Sequence, residues 1–368
     1  MSRTVSSGDI KAVDLFCGVG GLTHGLVRGG VNVVAGIDLD GACRYPYEVN
    51  NAPAVFVEQD VKDYTGTSVS KLLGTARFTL LAGCAPCQPF STYSRSDRKR
   101  GGNSDWELVA SFGRLVREVR PHFVTMENVP QVAQHPVFQE FLSALEGYHL
   151  VWSALDCSSI GVPQTRKRLV LLASRLGPES LSLPTSNGMA ATVRDTISHL
   201  PQLIAGEMDK KDPLHVACKL SALNLERIKA SRPGGTWRDW KPSLRAACHR
   251  KSTGDTYPSV YGRMEWDEPA PTITTQCFGY GNGRFGHPEQ HRAITLREAA
   301  MLQTFPRGYV FVKKGERVKF SSLGRLIGNA VPVKLGEVIA QIFMKHAKHY
   351  ESTTVPCTHP STTEVYSL

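Results

Sequence analysis

In the segment FTLLAGCAPCQPFSTYSRSDRKRGG, residues 78–102, an apolar run delivers two cysteines spaced as CxxC, Cys84 and Cys87, and then a basic loop rich in Ser and Gly. Thiols at that spacing can make half a zinc site, a redox pair, or a nucleophile with a neighbour. A structural zinc takes four ligands, and the best remaining donors, Cys248 and His249, complete no standard pattern. A redox pair of the thioredoxin kind carries its helix on through the second cysteine, whereas Pro89 interrupts it here. The residues favour a nucleophile, and no metal is expected.

A second constellation lies upstream. DLFCGVGGLTHGL, residues 14–26, places a glycine-rich turn between a strand and a helix, where backbone N–H groups can approach a ligand. Gly18 and Gly20 fit a GxGxxG pattern, but its third position is Thr23, so the turn alone is no dinucleotide fingerprint. Two acids sharpen it. Asp38 ends the second apolar run, where an acid binds ribose hydroxyls, and Asp60 ends the third, where it can accept from an adenine amino group. Such a set suits an adenosine-containing cofactor without separating NAD from S-adenosylmethionine.

Positioning these groups needs a scaffold. The runs at residues 11–16, 31–38, 54–60, 78–83, 122–128 and 167–174 are rich in Val, Leu and Phe and read as strands of a parallel sheet covered on both faces. Residues 106–119 carry helical spacing at Leu108, Phe112, Leu115 and Val116. Beyond residue 290, Thr295 and Glu298 form a capping box, and Pro332 opens a helix with Leu335, Val338, Ile339, Ile342 and Phe343 on one stripe.

With 368 residues, 41% of them apolar, the chain can bury a large core. Its nine cysteines are scattered apart from one pair and read as reduced thiols. No apolar run approaches the ~20 residues a bilayer needs, and the polar start MSRTVSSGD lacks a signal-peptide core, so no membrane and a cytoplasmic location are expected. A net charge of +10 raises nucleic acid as a partner. Residues 227–251 hold eight Lys or Arg against one Asp, interleaved with Trp237 and Trp240, a composition suited to a groove-reading loop.

In order along the chain, DLFCGVGG, GCAPCQPFS, ENV (127–129), QTRKR (164–168), REAAMLQTFP (297–306) and GNAVP (328–332) resemble the C5-cytosine DNA methyltransferase family. The resemblance implies an α/β fold: a Rossmann-like S-adenosylmethionine methyltransferase sheet with helices on both faces, plus a smaller, irregular, β-rich target-recognition domain. The expected division is residues 1–177 for the first catalytic part, 178–290 for recognition, 291–350 for a catalytic return, and 351–368 for a disordered tail.

It further implies S-adenosylmethionine as cofactor and double-stranded DNA as substrate, with Cys87 as nucleophile, Glu127 hydrogen bonding at the base's N3, and Arg166 and Arg168 on its O2 side, Arg168 the firmer of the two. Glu127 would need a raised pKa to hold a proton there. Phe16, Gly18, Gly20, Asp38, Leu39, Asp60 and Asn329 would form the cofactor site, although Leu39 stands where an aromatic often does. Cys84 departs from the family's usual Gly and reads as a packed bystander. The loop with Ser91, Arg95, Arg98 and Arg100 would close over DNA, and Trp237, Arg245, Thr274, Gln276 and Arg284 would contact it. A monomer is expected, with any cognate restriction endonuclease acting separately. Two rivals share the fold. A tRNA methyltransferase normally carries a Cys-Phe-Thr segment not found here, and a non-catalytic regulator would lack the intact Pro-Cys-Gln and Glu-Asn-Val residues.

Overall fold

Apolar runs with no polar alternation must be covered on both faces, and here they lie side by side in one seven-stranded sheet. The computed structural model describes residues 5–86, 104–184, 190–251, 254 and 256–354. Its strands are β1 (Ile10–Leu15), β2 (Asn32–Asp38), β3 (Val55–Glu58), β4 (Phe78–Gly83), β5 (Phe123–Asn128), β6 (His149–Asp156), β7 (Gln164–Thr165), β8 (Lys167–Ser174) and β9 (Ala270–Pro271). The sheet order is β3-β2-β1-β4-β5-β8-β6, and β7 pairs β9 separately. The chain runs outward from β1 to β3 and then returns to β4 on the other side. That leaves a crevice at the carboxyl ends of β1 and β4, where such sheets bind ligands.

The sheet is not wholly parallel. β8 runs antiparallel to β5 and to β6, which corrects the parallel expectation. β6 itself is an edge strand with Leu150 and Trp152 exposed, so it lacks the continuous apolar signature of its neighbours.

Helices cover both faces: α1 (Gly21–Arg28), α2 (Arg44–Asn51), α3 (Gly66–Leu73), α4 (Ser104–Val119), α5 (Pro136–Ala144), α6 (Val193–Ile197), α7 (Ala222–Ala230), α8 (Leu296–Leu302), α9 (Phe320–Asn329) and α10 (Val333–Thr354). Successive residues of a strand point to opposite faces. Ile10 and Ala12 of β1 accordingly pack with Leu26 of α1 and Ile339 and Phe343 of α10. Val13 and Leu15 pack with Phe112 and Leu115 of α4 and Phe141 of α5.

The C-terminal return is tied down by charge and by close packing. Thr295 and Glu298 form the expected capping box on α8, and Arg292 grips the same carboxylate at 2.7 and 2.8 Å. Burial alone would raise the Glu298 pKa, but Arg292 holds it down to about 2. Rather than fraying at residue 351, α10 continues to Thr354, and Arg77 pairs with Glu351. The stretch Phe320–Thr353 is long and apolar enough to cross a membrane by length and composition, but 67% of its apolar window is buried within the molecule.

The described residues of 178–290 hold little of the expected β structure. They form α6, α7, the two-residue β9, short 3-10 turns and isolated bridges. Buried Arg263 does the work of a neighbouring strand, donating to the carbonyls of Ile228, Ser231, His287 and Gln290 at 2.7–3.2 Å. A small core of Ile228, Trp237, Trp240, Tyr280 and Ala293 lies beneath the basic segment. The remainder, including Val193, Leu214, Met264 and Ile273, shares a core with Leu296, Leu302 and Ile327 of the return.

Candidate active site

Glu127 sits at the carboxyl end of β5 and is 2% exposed. Because β8 runs the other way, its first residues reach the same edge, and Arg168 Nε lies 2.9 Å from Glu127 Oε1. A parallel β8 would have carried that guanidinium to the opposite edge. The contact is an ion pair without an aligned N–H, and Oε1 has no hydrogen-bond donor. Arg168 also donates to the carbonyl of Lys167 at 2.7 Å.

The neighbouring residues divide into supports and groups that face the carboxylate. Arg166 is buried and donates to the carbonyls of Ile273 and Ala330, both at 3.3 Å. It thereby clips together the segments that flank the site, and although burial and then Arg168 lower its pKa to about 10, the Glu127 charge acts on it in the opposite sense. Gln164 and Gln303 complete the clip. Gln164 bonds Gln303 Oε1 at 2.6 Å, and Gln303 reaches the carbonyls of Ile327 and Ala330. Asn128, given no role on the sequence, is buried and donates to the Ala85 carbonyl at 3.2 Å. It holds the chain just ahead of the second cysteine. Its place inside the ENV block was the available signal.

Cys84 is no packed bystander, because its thiol donates to Glu127 Oε2 at 2.7 Å. Cys87 and the loop residues Ser91, Arg95, Arg98 and Arg100 lie outside the described residues. Among the described cysteines near the crevice, burial pushes the thiols of Cys17 and Cys43 upward, and that of Cys157 up to about 12, so none of the three is a ready thiolate.

At the glycine turn, Phe16 adopts φ 58°, a strained left-handed conformation for a bulky side chain. Gly18, at φ 53°, has open space where a Cβ would stand, and its N–H donates to Asp38 Oδ2 at 2.8 Å. Gly20 packs its Cα against Asn51 and Tyr47. Asp38 also accepts from the Asp40 N–H, and its pKa is raised by burial despite those two donors. Asp60 stands at the next strand end, accepting from the Lys62 N–H, and Leu39 between the acids is 66% exposed. Asn329 is exposed at the end of α9. Its block lies against the turn, since a Cβ on Gly21 would stand 2.2 Å from the Val331 carbonyl.

Asp14 was missed. It is fully buried, bonded through Oδ2 to the Thr23 hydroxyl at 2.6 Å, while Oδ1 has no partner. Burial pushes its pKa to about 7. Asp14 heads the DLF block, but only the fold shows that its side chain points inward.

On the recognition side, Trp237 is corrected. It is 2% exposed, its indole N–H donates to the Tyr257 carbonyl at 3.0 Å, and its ring stacks on His249 at 4.2 Å. An indole that anchors a core cannot also face a groove. Arg238, Lys241, Arg250 and Lys251 are exposed around it. Arg245 is half-buried and donates to the Arg238 carbonyl at 2.6 Å, and Arg284 donates to that of Gly235 at 2.9 Å. Gln276 is exposed, and the Thr274 backbone packs on Gly328. The interleaved pattern is thus a basic surface laid over a tryptophan core. Among the described residues, no cluster of three His, Cys, Asp or Glu side chains could hold a metal.

Residues 10–345 match the family model of C-5 cytosine-specific DNA methylases. The Type II methylase M.HgiDII of Herpetosiphon aurantiacus is 50% identical over 335 residues, 89% of this chain and 93% of that protein. The Type II methyltransferase M1.HphI of Haemophilus parahaemolyticus is 29% identical over 90% of this chain and 86% of its own. Among solved structures, a protein described as a DNA modification methyltransferase encoded within an E. coli prophage superposes with a TM-score of 0.70 at 22% identity, covering 91% of this chain and 99% of that one. The chain belongs to the C-5 cytosine-specific DNA methylase family and is a DNA cytosine-5 methyltransferase.

Proposed function

We propose that the enzyme methylates C5 of a cytosine flipped out of a specific sequence in double-stranded DNA, through a covalent bond between Cys87 and C6 of the base. The observation that carries this is buried Glu127 held by Arg168 at the edge where β4 leads toward Cys87. Cytosine C5 is too weak a nucleophile unaided. Thiolate addition at C6 pushes an electron pair through the ring so that C5 can attack a methyl group. Hydrogen bonding from Glu127 at N3 stabilises the charge that enters the ring, and Arg168 keeps the carboxyl group in place while facing O2. Loss of the C5 proton and expulsion of Cys87 restore aromaticity. The atom attacked is inaccessible inside a duplex, so the base must leave the stack.

S-adenosylmethionine, when bound, supplies the electrophilic methyl group. The crevice residues fit it. Gly18 leaves open space, Asp38 and Asp60 offer acceptors at successive strand ends to ribose hydroxyls and an adenine amino group, and the unpartnered Asp14 Oδ1 awaits a donor. Phe16, exposed Leu39 and Asn329 complete the lining. The likeness to Type II methylases supports a role as the modification arm of a restriction–modification system, or as an orphan relative, working as a cytoplasmic monomer beside a separate endonuclease.

Expression in a host without cytosine methylation, with 5-methylcytosine mapped base by base, should reveal one short methylated motif. DNA carrying 5-fluorocytosine there should trap an adduct that survives denaturation, because fluorine cannot leave C5 as a proton does. Cys87→Ala should lose both signals while keeping its fold. A folded, cofactor-binding wild type that methylates no DNA would move the substrate to RNA or the role to regulation.

A further inference from the structure

We propose that Cys84 is a positioning residue for Glu127, its thiol fixing the carboxyl group that meets the flipped base. The inference rests on the proposed function above. Two strands converge on one carboxyl group. From the end of β4, Cys84 Sγ donates to Oε2 at 2.7 Å, and from the start of β8, Arg168 Nε approaches Oε1 at 2.9 Å. Glu127 is buried and Oε1 lacks a hydrogen-bond donor, so among the described residues rotation of the carboxyl plane is opposed chiefly by these two neighbours. Among the described residues, the other ionisable groups around the pair are Arg166, held on the carbonyls of Ile273 and Ala330, and buried Cys157 at the end of β6.

The backbone makes the thiol's placement definite. The Cys84 N–H donates to the Leu15 carbonyl at 3.3 Å, which locks the residue to β1, and Asn128 fixes the Ala85 carbonyl beside it. A glycine at position 84 would keep that backbone and leave Oε2 without the donor. Cys84 therefore sets the orientation of Glu127.

The test compares wild type with Cys84→Ala and Cys84→Ser in steady-state methylation of the mapped DNA site. Cys84→Ala should lower kcat about tenfold with little change in KM, the worth of one charge-assisted hydrogen bond. Cys84→Ser, which restores a donor, should recover most of the rate. Infrared difference spectra reading the S–H stretch of Cys84 should show a hydrogen-bonded band that relaxes in Glu127→Ala, a measurement that needs no turnover and survives poor folding of the alanine variant. An unchanged rate in Cys84→Ala, a serine variant as impaired as alanine, or a free-thiol band would each overturn the inference while leaving the proposed function standing. A wild type that forms no 5-methylcytosine would overturn both.

Discussion

Asp14 shows how far one carboxyl group can depart from its behaviour in water. Its unfolded pKa is near 3.8, and burial raises the folded value to about 7. Between those values the unfolded chain gives up its proton while the folded chain keeps it. Stability from this group is therefore fully present below about pH 4 and is lost as pH rises toward 7, by up to about 4 kcal/mol by linkage. Asp14→Asn keeps the size and an acceptor for Thr23 but removes the titration. Urea unfolding should show the variant gaining on wild type between pH 5 and pH 8, and a gap that does not change with pH would mean that the folded enzyme already carries an ionised Asp14. In the sequence this acid is indistinguishable from any strand-end Asp. What sets it apart is desolvation, a property of everything packed around it. Glu127 and Arg168 were legible because the spacing of ENV and QTRKR carries their chemistry, whereas the contact of Cys84 with Glu127 depends on two strands meeting and has no local signature.

The elements that hold the site together meet most closely between α1 and α10. Gly21 and Gly25 of α1, with Gly29 at its C-cap, recur at every fourth position and let Val331 and the return helix seat directly on the backbone. A Cβ on Gly25 would stand 2.1 Å from the Val333 carbonyl and 2.7 Å from Gly336 Cα, and neither is a flexible side-chain end that could swing away. Gly25→Ala should cost about 3 kcal/mol or more by overpacking. Gly308→Ala, at a glycine with open space, is the matched control. Urea midpoints for the two variants separate the cases, and equal midpoints would show that α10 can slide without penalty. Because α10 follows GNAVP directly, Gly25→Ala should also weaken cofactor binding through displacement of Asn329. Continuous apolar runs made β1 to β5 and β8 legible. The reversal of β8 was not, since strand direction is decided by connections and packing partners rather than by period. Exposed Leu150 and Trp152 hid β6 at the sheet edge.

On the scale of the whole molecule, the charge of +10 has to be placed before it can explain anything. The composition of residues 227–251 suggested tryptophans facing a groove among arginines. The fold separates them, with Trp237 and Trp240 inside and Arg238, Lys241, Arg250 and Lys251 outside. Gly- and Pro-rich sequence gives little period to read, so neither the inward turn of the indoles nor the carbonyl-gripping role of Arg263 was visible beforehand. The separation yields a test, because the two residue types should now fail in different ways. Replacing Arg238, Lys241 and Lys251 by Gln leaves the small core intact, and should weaken DNA binding in a salt-dependent manner. If all three contact phosphates, the slope of log K against log salt becomes shallower by about 3, at roughly 0.9 per contact, with melting temperature and cofactor affinity unchanged. Trp237→Ala should instead cost about 3–5 kcal/mol of stability by leaving a cavity under the basic surface, and lose DNA binding only as far as that unit unfolds. A triple variant that keeps the wild-type salt slope would place the DNA track on another face, and would leave the basic segment as a solvated cover for the tryptophan core.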